Sequence, residues 1–306
     1  MNKILVLGAG ELGQAIIDSL LAHQAYSPNY SPITLLVRPS SLQRYKHLES
    51  RGISVIAEDL YTANVSKLSA TFTRFTTVIH AGNMAAPDGT QLKITHAVLQ
   101  AKIPLYLPWQ FGVDYDIITR EGGEGMFSEA IEVRDTLRAQ DQTRWLIISC
   151  GIFMSFLFEP YWGVVERDKS GKVTMVHALG SWEDNITVTD AADIGKCTAE
   201  LVLGENAPQN QPVYIAGETL TYSKFADVVE KVVGGNVLRD LWSTDHLKKE
   251  YAAAMDEEKN LRKYRVVFSE GVGLSWAMEQ TWNREKGVQM EGVESWFRRN
   301  YGNLTV

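Results

Sequence analysis

The chain is poor in cysteine. Only Cys150 and Cys197 occur in 306 residues. One ends an apolar run and the other sits in a helix-like stretch, so both read as reduced, buried thiols of a cytoplasmic protein rather than a disulfide framework. No apolar stretch is long enough to cross a bilayer. The apolar run in "MNKILVLGAG" is too short for a signal peptide and has no small-residue cleavage site. Basic residues are not in excess: 30 Lys and Arg stand against 37 Asp and Glu, for a net charge of -7. That balance argues against a nucleic-acid partner, which needs a phosphate-tracking surface. The six histidines are scattered and the cysteines unpaired, so no metal-ligand spacing exists. Repeats and low-complexity segments are also missing. Lysine is absent everywhere between Lys102 and Lys169, a gap that matters below.

What is present is an alternation. The short apolar runs "KILVLG", "ITLLVR", "GISVIA", "TTVIHAG", "IPLYLP" and "RWLIISC" are strand-like. Helix-like segments fall between them: "ELGQAIIDSLLAH", "SLQRYKHLES", "TQLKITHAVLQA" and "FSEAIEVRDTLRAQ". Apolar strands alternating with helices predict an α/β fold, a doubly wound parallel sheet covered on both faces. After Gly151 the rhythm changes. "IFMSFLFEPYW" is dense in aromatics, and "KVTMVHALGSWEDNITVTD" reads as two strands joined by a loop. A helix, a strand, a helix and a polar helical tail from Trp242 follow. The expected organisation is a nucleotide-binding Rossmann domain over residues 1–150, to which 183–215 return. A smaller, interwoven α+β substrate-binding part comprises 151–182 and 216–306.

"GAGELG" places Gly8, Gly10 and Gly13 in the G-x-G-x-x-G spacing, directly after a strand and opening a helix. That context gives the pattern its meaning. Gly8 permits a tight turn, Gly10 lets backbone approach a pyrophosphate, and Gly13 permits close helix–strand packing. The helix start, with Glu11 and Leu12, offers its N-terminal dipole. An NAD site usually carries Asp or Glu after the second strand; here "LLVRPSS" supplies Arg38 and no acid. A guanidinium grips a 2′-phosphate through paired hydrogen bonds, and Ser40, Ser41 and Arg44 are candidate further donors, so the expected cofactor is NADPH/NADP+. Two further strand ends should reach it. "HAGNM" brings the small Ala81 and Gly82, with Asn83 and Met84 beyond. "PWQFG" brings Pro108, Trp109, Gln110 and Phe111.

With these pieces in place the chain resembles the NmrA-like and isoflavone reductase-like branch of the atypical short-chain dehydrogenases, most closely its fungal secondary-metabolism members. The resemblance rests on "GAGELG", "LLVRP", "LPWQFGVDYD", "FSEAIEVRDTLRAQ", "TVTDAADIGKCTAELV" and "GVGLSWAMEQTWN", which span nearly the whole chain. It implies a Rossmann domain, NADPH, and aromatic or polycyclic natural products as substrates. One departure stands out. The plant reductases carry a catalytic lysine in an F-x-x-K pattern. Here Phe127 opens that pattern and Ala130 occupies the lysine position. Phe127, Ala130, Arg134 and Leu137 share a helix face, so position 130 points inward.

Hydride transfer needs chiefly geometry and exclusion of water; the proton needs a separate source. Gln110 is a candidate to hold a ligand amide or carbonyl, and Asp114 and Tyr115 to donate or relay a proton. The alternative for the last two is structural, an aspartate capping a turn and a tyrosine packed beneath it. Glu129 and Glu132 are expected at the surface and His80 as a neutral core histidine. Phe153, Met154, Phe158, Trp109 and Trp182 are expected to line the substrate side, with Asn83 and Met84. The function these residues imply is reduction of a polarised C=N or C=C bond in an aromatic or alkaloid-like metabolite, with coupled cyclisation open. An NADP(H)-sensing regulator without turnover and a redox-neutral cyclase are the alternatives. No membrane partner is expected, and the assembly state is left open, a homodimer included.

Overall fold

The protein is described by a computed structural model, which covers residues 1–82 and 86–301. Strands β1 (Ile4–Leu7), β2 (Ile33–Val37), β3 (Ser54–Ala57), β4 (Thr77–His80), β5 (Leu105–Leu107) and β6 (Arg144–Ser149) come first. There follow β7 (Ile152–Phe153), β8 (Val165–Arg167), β9 (Val173–Leu179) and β10 (Asn185–Thr189). The last three are β11 (Gln211–Tyr214), β12 (Glu218–Thr221) and β13 (Leu238–Trp242).

The main sheet has the order β11-β6-β5-β4-β1-β2-β3, and the pairs running from β6 to β3 are parallel. This is the doubly wound Rossmann-type arrangement. β1 and β4 lie at its centre, and all four residues of each are buried. That is why "ILVL" reads as a continuous apolar run rather than an alternating one. β3, at the edge, buries neither terminal residue fully. The helix Glu11–Ala22 buries Leu12, Ile16 and Leu20, one apolar stripe at helical spacing. It packs on the helix Ala191–Leu203. Gly195 makes the close approach possible, since a Cβ there would strike the Ala15 carbonyl oxygen.

The backbone separates into two compact units. The first comprises 1–111, 129–148 and 191–213; the second comprises 112–128, 149–190 and 214–306. The partition differs from the sequence expectation by two residues at 149–150 and at 214–215, and more widely in two segments. Segment 112–128 folds with the second unit, where Gly123 N donates to Glu270 Oε2 at 3.1 Å. Residues 183–190 also stay with the second unit, because β10 pairs with β7 and β12. The two strands read from "KVTMVHALGSWEDNITVTD" do not pair with each other. β9 joins the sheet β13-β9-β8 and β10 the sheet β12-β10-β7. β13 falls almost wholly before the helical tail expected from Trp242, in a stretch for which the sequence predicts no element. The helix expected at "SLQRYKHLES" is only one α-turn, Leu42–Tyr45, between two 3-10 segments.

Candidate functional site

In the first unit a cavity of about 320 Å³ opens beyond the carboxyl ends of β1, β2, β3 and β4. The strand order reverses at β1, and ligands of open α/β sheets bind at that switch point. The glycine loop forms one wall, and its three glycines act differently. Gly8 has φ +98°, and a Cβ there would lie 2.8 Å from the Ala81 carbonyl oxygen, so turn and packing both demand glycine. Gly13 sits against the Gly8 carbonyl with no room for a methyl group. Gly10 is the opposite case: a Cβ would meet nothing within 4 Å. Its backbone faces open space at the start of the helix Glu11–Ala22, where a pyrophosphate would approach the N–H groups. The loop therefore fits the group that its spacing implies. Leu12 and Ala81 are buried behind it, and Glu11 is exposed on the helix's first turn.

The second wall follows β2. Arg38 lines the cavity and is exposed at its mouth. Of the candidate donors after this strand, Ser41 lines the cavity, whereas Ser40, one residue earlier in the 3-10 turn Pro39–Ser41, is exposed and not part of its lining. Tyr45 lines the cavity too, and its hydroxyl donates a 3.0 Å hydrogen bond to the Ala9 carbonyl of the glycine loop. The end of β3 adds Glu58, Leu60 and Tyr61. Glu58 is engaged by Lys67 Nζ at 2.8 Å, so the carboxylate at this mouth is paired. Tyr45, Glu58 and Tyr61 carry no motif. Glu58 alone could have been found, by asking where a third parallel strand ends.

The end of β4 brings His80 and Gly82 to the cavity. His80 is 3% exposed, and burial pushes its imidazole down to about 3, so the ring is neutral. A Cβ on Gly82 would lie 2.7 Å from His80 Nε2 and 3.1 Å from Trp109 Cγ; only glycine fits between these rings. Trp109 thus stands beside the cavity wall, partly exposed between the buried Pro108 and Gln110. Phe111 is buried. Asn83 and Met84 lie outside the described residues.

Gln110 is committed elsewhere than expected. Its Nε2 donates to the Ala130 carbonyl at 2.7 Å, and its Oε1 accepts from Arg134 Nε at 2.8 Å. Arg134 and Ala130 are both buried on the helix Ser128–Arg138, as the shared face required. Glu129 is not a free surface residue. Its carboxylate accepts from Gly89 N and Leu92 N and caps the helix Thr90–Gln100. Glu132 is exposed.

In the second unit Asp114 caps the turn Tyr115–Ile118 by accepting from Asp116 N, and it accepts the Tyr214 hydroxyl at 2.8 Å. Tyr115 is buried with its ring centroid 4.5 Å from Phe127. These are the contacts that the structural alternative for this pair describes. Met154 and Phe158 are also corrections as substrate residues, because both are sealed in the core of this unit. Phe158 stacks on Phe297 and Tyr301 from the last helix. Phe153 and Trp182 are partly exposed, and the Arg239 guanidinium lies 6.0 Å from the Trp182 ring. Tyr264 passed unnoticed in the sequence. It joins Phe127, Phe156 and Trp162 in one aromatic cluster, and burial pushes its hydroxyl up to about 12.

Among the described residues no group of three His, Cys, Asp or Glu can hold a metal, and no helix is long and apolar enough to cross a membrane. Residues 1–290 match the sequence model of the NmrA-like family. An NmrA-like family domain-containing oxidoreductase of Gibberella moniliformis (strain M3125 / FGSC 7600) is 39% identical over 306 residues, 97% of each chain. Among solved structures, AtPrR2 with NADP+ and (+)pinoresinol superimposes with a TM-score of 0.77 at 18% identity, covering 97% of this chain and 98% of that one. The leucoanthocyanidin reductase–NADPH complex from Vitis vinifera gives 0.77 at 19% identity, covering 97% and 99%.

Proposed function

The chain belongs to the NmrA-like family, and from that premise we propose that it is an NADPH-dependent reductase of a polarised C=N or C=C bond in an aromatic or polycyclic metabolite. The observation that carries the cofactor is the cavity itself: Gly10 opens on empty space, Arg38 stands at the end of β2, and no acid follows that strand. When bound, the cofactor supplies hydride; the chain binds, orients and excludes water. Arg38 holds the 2′-phosphate and Ser41 adds a donor. The first turn of the helix Glu11–Ala22 faces the pyrophosphate.

The class of acceptor follows from the proton. Ala130 stands where the resemblance implies a lysine, and the Asp114 carboxylate is already an acceptor twice over. A C=N bond, cationic as an iminium, takes hydride without a strong protein acid. Trp109 offers a flat apolar face suited to an aromatic ring. The bound ligand of AtPrR2, pinoresinol, supports a substrate of this kind. Cyclisation of the reduced product is compatible with the same chemistry. The test is to incubate the protein with NADPH and a panel of imine, iminium and enone precursors, following cofactor oxidation and product mass together. Oxidation matched by a product two mass units heavier supports the reading. Absence of oxidation across the panel, with NADPH bound, opposes it.

A further inference from the structure

Trp109 is the middle residue of a very short turn, in which Gln110 N donates to the Pro108 carbonyl at 2.8 Å. One bond closing three residues makes a γ-turn. Trp109 is partly exposed while both neighbours are buried, and its indole stands over Gly82, 6.5 Å from the His80 ring between centroids. Nothing in the three-residue turn fixes which way the indole faces. The fixing comes from the next side chain. Gln110 spans one turn of the helix Ser128–Arg138, donating to the carbonyl of Ala130 and accepting from Nε of Arg134. Arg134 has no exposed surface at all, and Gln110 is 1% exposed. A buried guanidinium that loses an acceptor stays buried and under-satisfied, so this contact persists where a surface contact would come and go.

We propose that Arg134 and Gln110 are positioning residues that lock the 108–110 turn and hold the Trp109 indole over Gly82 in one orientation, as a preset wall for a flat ring. Neither touches that ring. The identity of the ring rests on the reductase reading above. The clamp itself does not, because it is a property of the protein without ligand.

The experiment uses the full-length, ligand-free protein labelled with fluorotryptophan, with the Trp109 line assigned from Trp109→Phe. Fluorine NMR should show one narrow line for Trp109 in the wild type. Gln110→Met and Arg134→Lys should split or broaden that line while the other tryptophan lines keep their positions. Gln110→Glu, which still accepts from Arg134 but cannot donate to the Ala130 carbonyl, should broaden the line less than Gln110→Met. A purely structural tie between turn and helix predicts something else, all tryptophan lines changing together, and that result would overturn the proposal. An unchanged Trp109 line in both variants would also overturn it. Where neither variant folds, warming the wild type decides. The Trp109 line should stay narrow until the whole protein melts, and selective early broadening counts against the clamp. Since no cofactor or substrate is present, failure here leaves the proposed reaction standing.

Discussion

The Tyr45 hydroxyl donates a 3.0 Å hydrogen bond to the Ala9 carbonyl, which ties the segment after β2 to the glycine loop. The two segments that would grip opposite ends of an adenosine phosphate are therefore held in register before any ligand arrives. Tyr45→Phe removes the bond and leaves the ring. A bond of this kind contributes about 0.5–1.5 kcal/mol to the ligand-free fold, so the melting temperature should fall by roughly a few degrees and NADPH affinity by up to roughly 10-fold as the register loosens. Titration calorimetry on the two proteins measures it; identical affinities would remove Tyr45 from the site.

Arg38 should decide the choice of cofactor. A charge-assisted contact to the 2′-phosphate is worth about 1.5–3 kcal/mol, and Arg38→Ala should weaken NADPH by that amount while leaving NADH almost unaffected. Equal binding of both cofactors by the wild type would contradict the assignment.

The glycines allow a sharper comparison. Gly10→Ala places a methyl group in open space. It should leave the fold intact yet cost more than about tenfold in NADPH affinity, because the pyrophosphate needs that space. Gly13→Ala drives a methyl group into the Gly8 carbonyl. It should lower thermal stability by about 1–3 kcal/mol even without cofactor. Thermal unfolding with and without NADPH separates the two, and the same behaviour for both variants would refute the division of roles.

His80 predicts a pH dependence. Burial lowers its folded-state value to about 3 from an ordinary 6.5, so between these limits the unfolded chain binds the extra proton. The stabilising contribution is complete above about pH 6.5 and is lost as pH falls toward 3, on the order of 5 kcal/mol over the whole window. In His80→Asn this part of the acid sensitivity should vanish. Denaturant titrations at a series of pH values test it, and parallel curves for the two proteins would contradict it.

The sheet and the glycine loop were legible because each is written locally. Apolar runs mark strands buried on both faces, and the three glycines sit in one turn of chain. Arg38 was legible because it follows a strand directly. Tyr45 was not, since it lies on an irregular segment without periodicity and matters through one hydroxyl. The substrate side misled for a physical reason. An aromatic run serves a core as readily as a pocket, and Phe158 is claimed by Phe297 and Tyr301, roughly 140 residues downstream. Gln110 was marked from its place after β5, but its partners, Ala130 and Arg134, come from a helix that the sequence shows only as an amphipathic stretch.

The central claim is that this chain moves hydride from NADPH to its substrate although Ala130 stands where the resemblance to the plant reductases implies a lysine. The direct measurement is turnover with NADPH deuterated at C4, followed by mass spectrometry of the product. The account predicts one deuterium on a product carbon, with Tyr115→Phe slowing the reaction only modestly, well short of the roughly 10²–10⁴-fold lost with a general acid. Unlabelled product formed at full rate with NADP+ alone would contradict it and point to a redox-neutral cyclase. No product at all, beside tight NADP(H)-dependent binding of a protein partner, would contradict it in favour of a regulator.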